Sequence, residues 1–391
     1  MSRLLFLSRW FPFPVDNGSK IRIANLLRGL ATRYDITLLS FTDARDAPPD
    51  LATAKNFCRE VHTVAWKPYD PQHQRARLGF LNLTPRSIVD TFLPAMQQCI
   101  TQLLAAEQFD AIIASQLDTA VYAPFFRGMP ALFEEVELGF LYEQFARAIS
   151  FRNRVRFGLT WAKHRRYVAR VLREFRACTV VSAREQQLVQ IVAPKQIVQV
   201  IPNAIHLNEY ARVRAPVEPN TLIFTGSFRY FANHEAMIWF VREVLPRVQT
   251  RVPDVRVTIT GDHANLALPP APNVHLTGFV ENVRPLIASA WASIAPLQQG
   301  GGTRLKILEA LALQTPVVAT SKGVEGLDAR HDEHLLIADA PDEFANQVVR
   351  LLQDPALRQR LAANGARLVS EQYDWANVMP RFLNLVEQII S

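Results

Sequence analysis

Cysteine is scarce in this chain of 391 residues. The three cysteines, Cys58, Cys99 and Cys178, are odd in number and far apart, and no C-x-x-C pair occurs. This pattern argues against a disulfide framework and against a cysteine-ligated zinc site. It favours a reducing, cytoplasmic location.

Long hydrophobic runs are also absent from the sequence. No apolar stretch approaches the roughly 20 residues that a membrane-spanning helix needs. The apolar start of the chain, residues 3–8, is too short for the h-region of a signal peptide, and no small-residue cleavage site follows it. We therefore expect a first buried strand there.

The common catalytic and metal-binding motifs are missing as well. There is no G-x-x-x-x-G-K-[ST] phosphate loop, no G-x-S-x-G elbow and no H-E-x-x-H motif. These absences argue against an ATPase, an ordinary α/β-hydrolase and a zinc protease. No D-x-D pair is present to hold a nucleotide through a divalent metal, and the nine histidines show no ligand spacing. We expect no metal and no resident cofactor.

Short apolar segments and helical patterns alternate from one end of the chain to the other. This alternation is typical of parallel α/β sheets, and the length predicts two domains of about 150–200 residues. Helical periodicity is clear in Lys20–Thr32, Arg154–Arg176 and His234–Val248, whereas Tyr69–Pro85 is predicted to be a loop. Residues 211–220 contain two prolines and predict a linker or surface loop. The layout fits two Rossmann-like domains facing a cleft, because ligands of open α/β sheets bind outside the carboxyl ends of the strands.

The most informative segment is residues 300–312, Gly-Gly-Gly-Thr-Arg-Leu-Lys-Ile-Leu-Glu-Ala-Leu-Ala, between a predicted strand and a predicted helix. Glycines at this junction let the backbone approach a ligand and point its N–H groups outward. Arg304 and Lys306 add positive charge beside the helix start, and Glu309 lies about one and a half turns further along. The segment predicts capture of a diphosphate by amides and cations, with a carboxylate left to hold hydroxyl groups.

A second strand-to-helix turn contains Gly18, which opens the first predicted helix. Its missing side chain would let a phosphate or sugar sit against the N-terminal amides. The alternative is a plain turn in which Asn17 or Ser19 caps the helix.

Two more turns of this kind follow in the second half. Arg229 comes soon after Gly226 and is predicted to reach the space of Lys306, since an arginine fork suits phosphate oxygens; the alternative is a surface arginine. The backbone edge at Gly278–Val280 is predicted to contact a nucleobase, although helix capping explains that turn equally well.

An acidic cluster, Glu134, Glu135 and Glu137, follows a strand of the first half. In a cleft, such carboxylates bind sugar hydroxyls or act as a base. The alternative is that they stabilise a helix start through its dipole.

The net charge of +7 is concentrated in one segment. Between Arg147 and Arg176 we count ten Arg or Lys residues against a single acid, Glu174, with aromatic residues interleaved. Such a segment fits an anionic lipid surface or a nucleic acid, and its alternative is a solvated basic helix face. Because no nucleic-acid reader motif accompanies it, we expect no nucleic-acid partner.

Taken together, these motifs resemble the donor site of retaining glycosyltransferases of family 4, the group 1 transferases of GT-B fold. The resemblance covers essentially the whole chain and is strongest in the second half, and it is closest to the branch that builds bacterial cell-surface polysaccharides. The motifs that carry it are Pro12–Gly18, Val200–Asn203, Thr225–Ser227 with Asn233, Thr277–Val280, Pro296–Ala310, Pro316–Thr320, Gly323–Leu327 and Tyr373–Trp375.

The resemblance implies an acceptor domain at residues 1–202, joined by a last helix at 375–391 that crosses back to it, and a donor domain at residues 203–374. It implies a hexosyltransferase that moves sugar from a nucleotide-diphosphate sugar to a glycan or lipid-linked acceptor, with retention and without a metal. Catalytic roles would fall to Arg229, Lys306 and Glu309. The implied donor contacts are Gly18, Gly226, Arg229, Val280, Gly301, Gly302, Thr303, Arg304, Lys306 and Glu309.

The chain departs from the family pattern at four places, the first being Asn203–His206, which reads Asn-Ala-Ile-His where Asn-Gly-Val-Asp is common. Gly301 stands where the family has the first Glu of its E-x7-E motif. Phe231–Asn233 lack the usual Lys, for which Arg304 is expected to substitute. Ser115–Asp118 contain no His. These gaps keep a catalytically idle sugar-nucleotide or partner-binding module open as an alternative, beside a nucleotide-sugar epimerase of the same fold. With an acceptor at the inner membrane face, the enzyme would be cytoplasmic and peripherally bound to anionic membrane.

Overall fold

The computed structural model describes residues 1–79, 82–300 and 304–391. Its internal contacts divide the chain into two compact units. Unit 1 comprises Met1–Pro202 with Met379–Ser391, and unit 2 comprises Asn203–Val378. Each unit is a parallel α/β sheet with helices, which confirms the predicted architecture.

The sheet of unit 1 has, within the described residues, seven parallel strands in the order β3-β2-β1-β4-β5-β6-β7. Leu4–Leu7 of the first strand are fully buried, as expected for a strand covered on both faces. The carboxyl ends of these strands meet at one edge of the sheet. The order of the strands changes direction between β1 and β4, which is therefore the topological switch point. The strands are β1 (Ser2–Ser8), β2 (Tyr34–Thr42), β3 (Glu60–Ala65), β4 (Ala111–Ser115), β5 (Ala131–Glu134), β6 (Ala177–Val180) and β7 (Ile197–Val200).

Helices connect these strands. The helices of the first 202 residues are α1 (Gly18–Leu30), α2 (Leu51–Lys55), α3 (Gln74–Leu78), α4 (Arg86–Thr91), α5 (Pro94–Ala106), α6 (Leu117–Ala120), α7 (Gly139–Ala146), α8 (Phe151–Val171) and α9 (Ala183–Val192).

Unit 2 has a second parallel sheet, whose described strands run in the order β10-β9-β8-β11-β12-β13. The strands are β8 (Glu218–Thr225), β9 (Arg256–Thr260), β10 (Val274–Gly278), β11 (Ala290–Ala295), β12 (Val317–Ala319) and β13 (Leu336–Ile337). The remaining helices are α10 (Phe231–Trp239), α11 (Leu245–Gln249), α12 (Arg284–Ser289), α13 (Leu305–Ala312), α14 (Pro341–Gln353), α15 (Pro355–Gln372) and α16 (Trp375–Ile390). Most of α16 belongs to unit 1. No described helix is both long and apolar enough to cross a bilayer.

Three predicted boundaries were wrong. The helix predicted over His234–Val248 consists of α10, a π-helical segment at Phe240–Val244 and α11. Pro246 explains the interruption, because it has no N–H to donate and its ring crowds the preceding turn. Strand β8 begins at Glu218, inside the predicted linker.

The third error concerns the loop predicted over Tyr69–Pro85, because this segment contains the short helix α3. Asp90 of α4 organises this region, because its buried carboxylate accepts hydrogen bonds from the Asp70 backbone N–H (3.0 Å), Lys67 Nζ (3.2 Å) and His73 Nδ1 (2.6 Å). A buried carboxylate needs such partners, and they lie 17 to 23 residues away along the chain. Local composition gave no signal of this tertiary contact.

A buried ion pair ties α1 to the sheet of unit 1. Arg22 Nε lies 2.6 Å from Glu134 Oε1, and both side chains are almost completely excluded from solvent. Ser115 Oγ donates to Glu134 Oε2 at 2.6 Å, and Arg22 Nη1 donates to the Ile201 carbonyl at 3.0 Å. These contacts join the helix to residues at the ends of β4, β5 and β7.

Replacing Arg22 by Met leaves the Glu134 carboxylate buried without its cation. We expect Arg22→Met to lower the free energy of unfolding by about 3–5 kcal/mol, and the double variant Arg22→Met/Glu134→Leu to recover most of that loss. Urea unfolding followed by tryptophan fluorescence measures both.

The matched control is Arg33→Met, which removes an exposed arginine paired with Glu387 at 3.8 Å. Its expected cost is below about 1 kcal/mol. An Arg22→Met protein as stable as this control would contradict the assigned role of the buried pair.

Candidate functional site

The predicted donor residues of unit 2 start from one edge of its sheet. Strands β8 and β11 are parallel neighbours, with Ser293 opposite Ile223. The turn at Gly226 follows β8 directly, and the loop that leads to α13 follows β11. Because the carboxyl ends of parallel strands share an edge, the fold brings these two segments together.

Lys306, in the first turn of α13, reaches across to the β8 segment. Its Nζ donates a 2.8 Å hydrogen bond to Asn233 Oδ1 and lies 3.9 Å from the centroid of the Phe224 ring. Asn233 is itself fixed, because its Nδ2 donates to the Ser227 carbonyl at 2.8 Å. The ammonium group is therefore held by an amide oxygen and a ring face.

The pKa of the half-buried Lys306 is lowered to about 7, chiefly because burial removes water from the ammonium. The nearby charge of Arg304 lowers it further, and Glu309 opposes both effects. An anion placed beside this nitrogen would favour its charged form.

Gly226 is the residue that permits the close approach of Lys306. Its φ is +153°, and a Cβ added there would lie 2.7 Å from Asn233 Nδ2 and 3.0 Å from Lys306 Nζ. Any side chain would displace the group that holds the ammonium. A glycine at this turn is thus required by the arrangement of its neighbours.

Glu309 lies three residues beyond Lys306 and therefore on the same side of α13. Tyr210 Oη donates to Glu309 Oε1 at 3.0 Å. Burial raises the pKa of Glu309, whereas the Tyr210 hydrogen bond and the charge of Arg284 act in the opposite direction. The Arg284 guanidinium stacks 4.8 Å from the centre of the Tyr210 ring and pairs with Glu209. Sequence reasoning missed Tyr210, since it precedes a segment of linker composition and belongs to no motif.

Arg229 was expected in the same space as Lys306, and in the structure it forms an ion pair with an acidic residue. Its side chain is 76% exposed and pairs with Asp262, which follows β9. Its backbone N–H donates to Ser227 Oγ at 3.2 Å, so the residue starts from the Gly226 turn. The Arg229 guanidinium is thus paired with the Asp262 carboxylate in this structure.

Arg304 also differs from the expectation of a cation that faces a ligand. Only 4% of its side chain is exposed. Its Nη2 donates to the carbonyls of Gly300 (3.2 Å) and Lys322 (2.8 Å), and it lies 3.8 Å from Glu325 Oε2. A buried guanidinium must be matched by acceptors, and here those acceptors are the residues that flank the site. Arg304 therefore fastens Gly300 to the segment after β12.

Three of the predicted donor residues, Gly301, Gly302 and Thr303, lie outside the described residues. Of the other predicted contacts in unit 2, Val280 is partly buried and follows Gly278, whose φ is +75°. Phe279, which lies between them, is largely exposed.

Gly18 belongs to unit 1, where it opens α1. Asn17 caps this helix, because its Oδ1 accepts a 3.1 Å hydrogen bond from the Lys20 N–H. A Cβ added at Gly18 would meet no atom within 4 Å. The position is open, so capping and room for a ligand coexist there.

The acidic cluster of unit 1 separates into residues of different character. Glu134 is occupied by Arg22 and Ser115 in the buried ion pair. Glu135 has φ +60°, and its Oε2 accepts from Gln116 Nε2 at 2.9 Å. Burial, and next the charge of Glu134, raise the pKa of Glu135. The cluster precedes α7, which starts at Gly139, so it does not form the first turn of that helix.

The arrangement on α13 offers one cation and one carboxylate side by side, with a glycine turn opposite. It can hold an anion at Lys306 and hydroxyl groups at Glu309. Within the parts of the chain that the structure describes, no group of three or more His, Cys, Asp or Glu side chains is placed to hold a metal ion.

Parts of the chain are similar in sequence to known proteins. The model of the family described as "Glycosyl transferases group 1" matches residues 219–354, which contain Gly226, Lys306 and Glu309. The chain is 27% identical to an uncharacterized 44.6 kDa protein in the cps region of Klebsiella pneumoniae over 164 residues, which are 39% of this chain and 42% of that protein. It is 27% identical to phosphatidyl-myo-inositol mannosyltransferase of Mycobacterium leprae over 208 residues, 49% of this chain and 54% of that protein. The chain thus spans about half the length of these curated relatives.

Solved structures resemble the chain over its whole length. Sucrose-phosphate synthase from Thermosynechococcus elongatus superposes with a TM-score of 0.69 at 17% identity, covering 100% of this chain and 99% of that one. The Anabaena protein HepE, solved with UDP and glucose, superposes with a TM-score of 0.66 at 15% identity, covering 99% of this chain and 100% of that one. At such identities the likeness concerns the fold. The chain therefore has the two-domain GT-B fold, and within it residues 219–354 match the glycosyl transferases group 1 model.

Proposed function

We propose that the protein is a retaining, metal-independent glycosyltransferase that moves a hexose from a nucleotide-diphosphate sugar to a glycan or lipid-linked acceptor. The observation that carries the proposal is the Lys306 ammonium, held against Asn233 and Phe224 beside the Gly226 turn, with Glu309 on the same side of α13. The match of residues 219–354 to the glycosyl transferases group 1 model supports the same activity.

In the proposed complex the diphosphate of the donor lies against Lys306. The Asn233 amide oxygen that now accepts from Nζ is neutral, so a phosphate oxygen competes with it favourably. Arg229 exchanges its partner Asp262 for the diphosphate, which its exposed position permits. Tyr210 holds Oε1 of the Glu309 carboxylate, and Oε2 accepts hydrogen bonds from the ribose of the nucleotide.

In the proposed reaction the protein acts mainly through the residues that contact the leaving diphosphate. The bond between the anomeric carbon and the diphosphate oxygen breaks, and the acceptor oxygen bonds to the same face of that carbon. The proton of the acceptor hydroxyl passes to the departing phosphate oxygen, so no side-chain nucleophile is required. Lys306 and Arg229 stabilise the negative charge as it develops, and groups of this kind contribute about 3–4 kcal/mol each in comparable sites. They also supply the positive charge for which other transferases use a divalent metal.

The acceptor and the location are proposed from the relatives and from the charge of unit 1. One relative is named for the transfer of mannose to phosphatidyl-myo-inositol, and another comes from a cps region. We infer an acceptor of the same kind, a lipid-linked or polymeric glycan of a cell-surface polysaccharide. The basic segment at 147–176 supports the further proposal that the protein is cytoplasmic and acts at the inner face of the membrane.

Nucleotide binding and turnover should both depend on Lys306. A thermal-shift panel of UDP, GDP, ADP and dTDP is expected to give one strong response, because a ligand at 100 times its dissociation constant adds about 2.7 kcal/mol. We expect Lys306→Ala to abolish that shift, and Lys306→Ala and Arg229→Ala each to lower turnover at least tenfold.

Lys195→Ala and Arg212→Ala, which remove exposed cations elsewhere, serve as matched controls. Parental turnover in Lys306→Ala would contradict the proposal. Incubation with the sugar nucleotide alone, followed by NMR, separates a transferase from an epimerase, since only an epimerase converts the donor without an acceptor. A nucleotide-induced shift without turnover on any donor and acceptor would instead favour an idle binding module.

The lowered pKa of Lys306 predicts a proton uptake on binding. In the free protein this lysine becomes neutral as the pH rises above about 7, and the diphosphate restores its charged form. Between about pH 7.5 and 9 nucleotide phosphates are already fully ionised, since their last pKa is about 6. Binding should therefore take up protons in this range, and affinity should fall as the pH rises.

Isothermal titration calorimetry at pH 8, in two buffers of different ionisation enthalpy, measures the uptake. Lys306→Met should bind weakly, with no proton uptake and with an affinity that does not change over this pH range. If Lys306→Met took up protons as the parent does, another group would be responsible.

A further inference from the structure

Helix α8 of unit 1 presents an unusual outward face. Phe151 is 83% exposed and Leu159 65% exposed, and Val155 between them is also exposed. Their spacing of four residues puts the three side chains on one side of the helix. Ile149, just before the helix, is fully exposed. We call Phe151, Val155 and Leu159 the apolar stripe.

The opposite side of α8 is anchored in unit 1, so the direction of the apolar stripe is fixed. Trp161, Tyr167 and Val168 are buried in the core of the unit. Trp161 packs edge-on against Tyr142 of α7, with ring centroids 5.5 Å apart. Because the other side of α8 packs in the core, the apolar stripe is the side of the helix that faces solvent.

Basic side chains surround the apolar stripe. Exposed arginines lie on α8 itself, at positions 152, 154, 156, 165, 166 and 170. In the whole segment Arg147–Arg176 a single acid, Glu174, opposes ten basic residues. An amphipathic helix with aromatic and aliphatic side chains bordered by arginines has the composition of a helix that lies in a lipid interface.

We propose that the apolar stripe of α8 inserts into the surface of an anionic lipid bilayer while the surrounding arginines bind the headgroups. Charge complementarity favours this occupant over a second copy of the chain, because two such faces would bring about twenty like charges together. Arginines and lysines near an anionic leaflet attract it additively, and buried apolar side chains add affinity without regard to headgroup charge. The inference deepens the membrane part of the proposed function and rests on it for the choice of lipid over other anions.

Vesicle flotation tests the proposal with the full chain. The parent protein should bind vesicles that contain phosphatidylglycerol and phosphatidylcholine at low salt, and should leave pure phosphatidylcholine vesicles largely unbound. Phe151→Ser/Leu159→Ser should weaken binding to the anionic vesicles at least tenfold. Arg152→Gln/Arg156→Gln should weaken it to a similar extent and reduce its salt dependence.

The chain offers controls that match each change. Ile191 on α9 is 69% exposed in the same unit, so Ile191→Ser removes exposed apolar surface away from the stripe. Arg212→Gln/Arg242→Gln removes two exposed charges outside the segment. Both controls should bind anionic vesicles as the parent does. A tryptophan placed in the stripe, Leu159→Trp, should shift its fluorescence to shorter wavelength when vesicles bind.

Any of the following outcomes would overturn the proposal. One is absence of binding to anionic vesicles at low salt, and another is equal loss of binding in the stripe variants and their controls. The others are a parent dimer that the stripe variants dissociate, and a nucleic acid that binds the face in preference to vesicles. Nucleotide-induced thermal shifts on the same samples separate this result from the proposed function, because they report Lys306 and not α8.

Discussion

The interaction on which the site depends is the placement of a lysine ammonium against neutral partners. Lys306 forms a hydrogen bond to the Asn233 amide and faces the Phe224 ring, and among the described residues no carboxylate forms an ion pair with it. A cation paired with a carboxylate would have its charge cancelled before any ligand arrived. Here burial lowers the pKa of Lys306 instead, so its charged form is poorly stabilised in the free protein. An anionic ligand would supply the stabilisation that the ammonium lacks.

The surroundings of Lys306 follow from that constraint. Gly226 leaves the space into which the ammonium reaches, and Arg304 is buried where it holds Gly300 against Lys322. Tyr210 keeps one oxygen of Glu309 occupied and so orients the carboxylate. In unit 1 the Arg22–Glu134 pair has a similar positioning role, because it holds α1 against the ends of the central strands.

Much of this could be predicted from the sequence because its signals are local. Apolar strands that alternate with periodic helices, and glycines at strand-to-helix turns, indicated the parallel sheets and the positions of Gly18, Gly226, Lys306 and Glu309. What could not be predicted depends on contacts between distant residues. The burial of Arg304 requires the Lys322 carbonyl, and Asp90 collects donors from a stretch that composition alone predicted to be a loop. Arg229 illustrates the same limit, since its partner Asp262 lies 33 residues away along the chain.

The account makes the diphosphate the ligand of Lys306, and a crystal structure with the nucleotide of highest affinity tests this directly. The expected density places a phosphate oxygen within hydrogen-bonding distance of Lys306 Nζ, with Asn233 Oδ1 displaced and the ribose at Glu309. A nucleotide whose phosphates bind away from α13, with Nζ still on Asn233, would contradict the central claim.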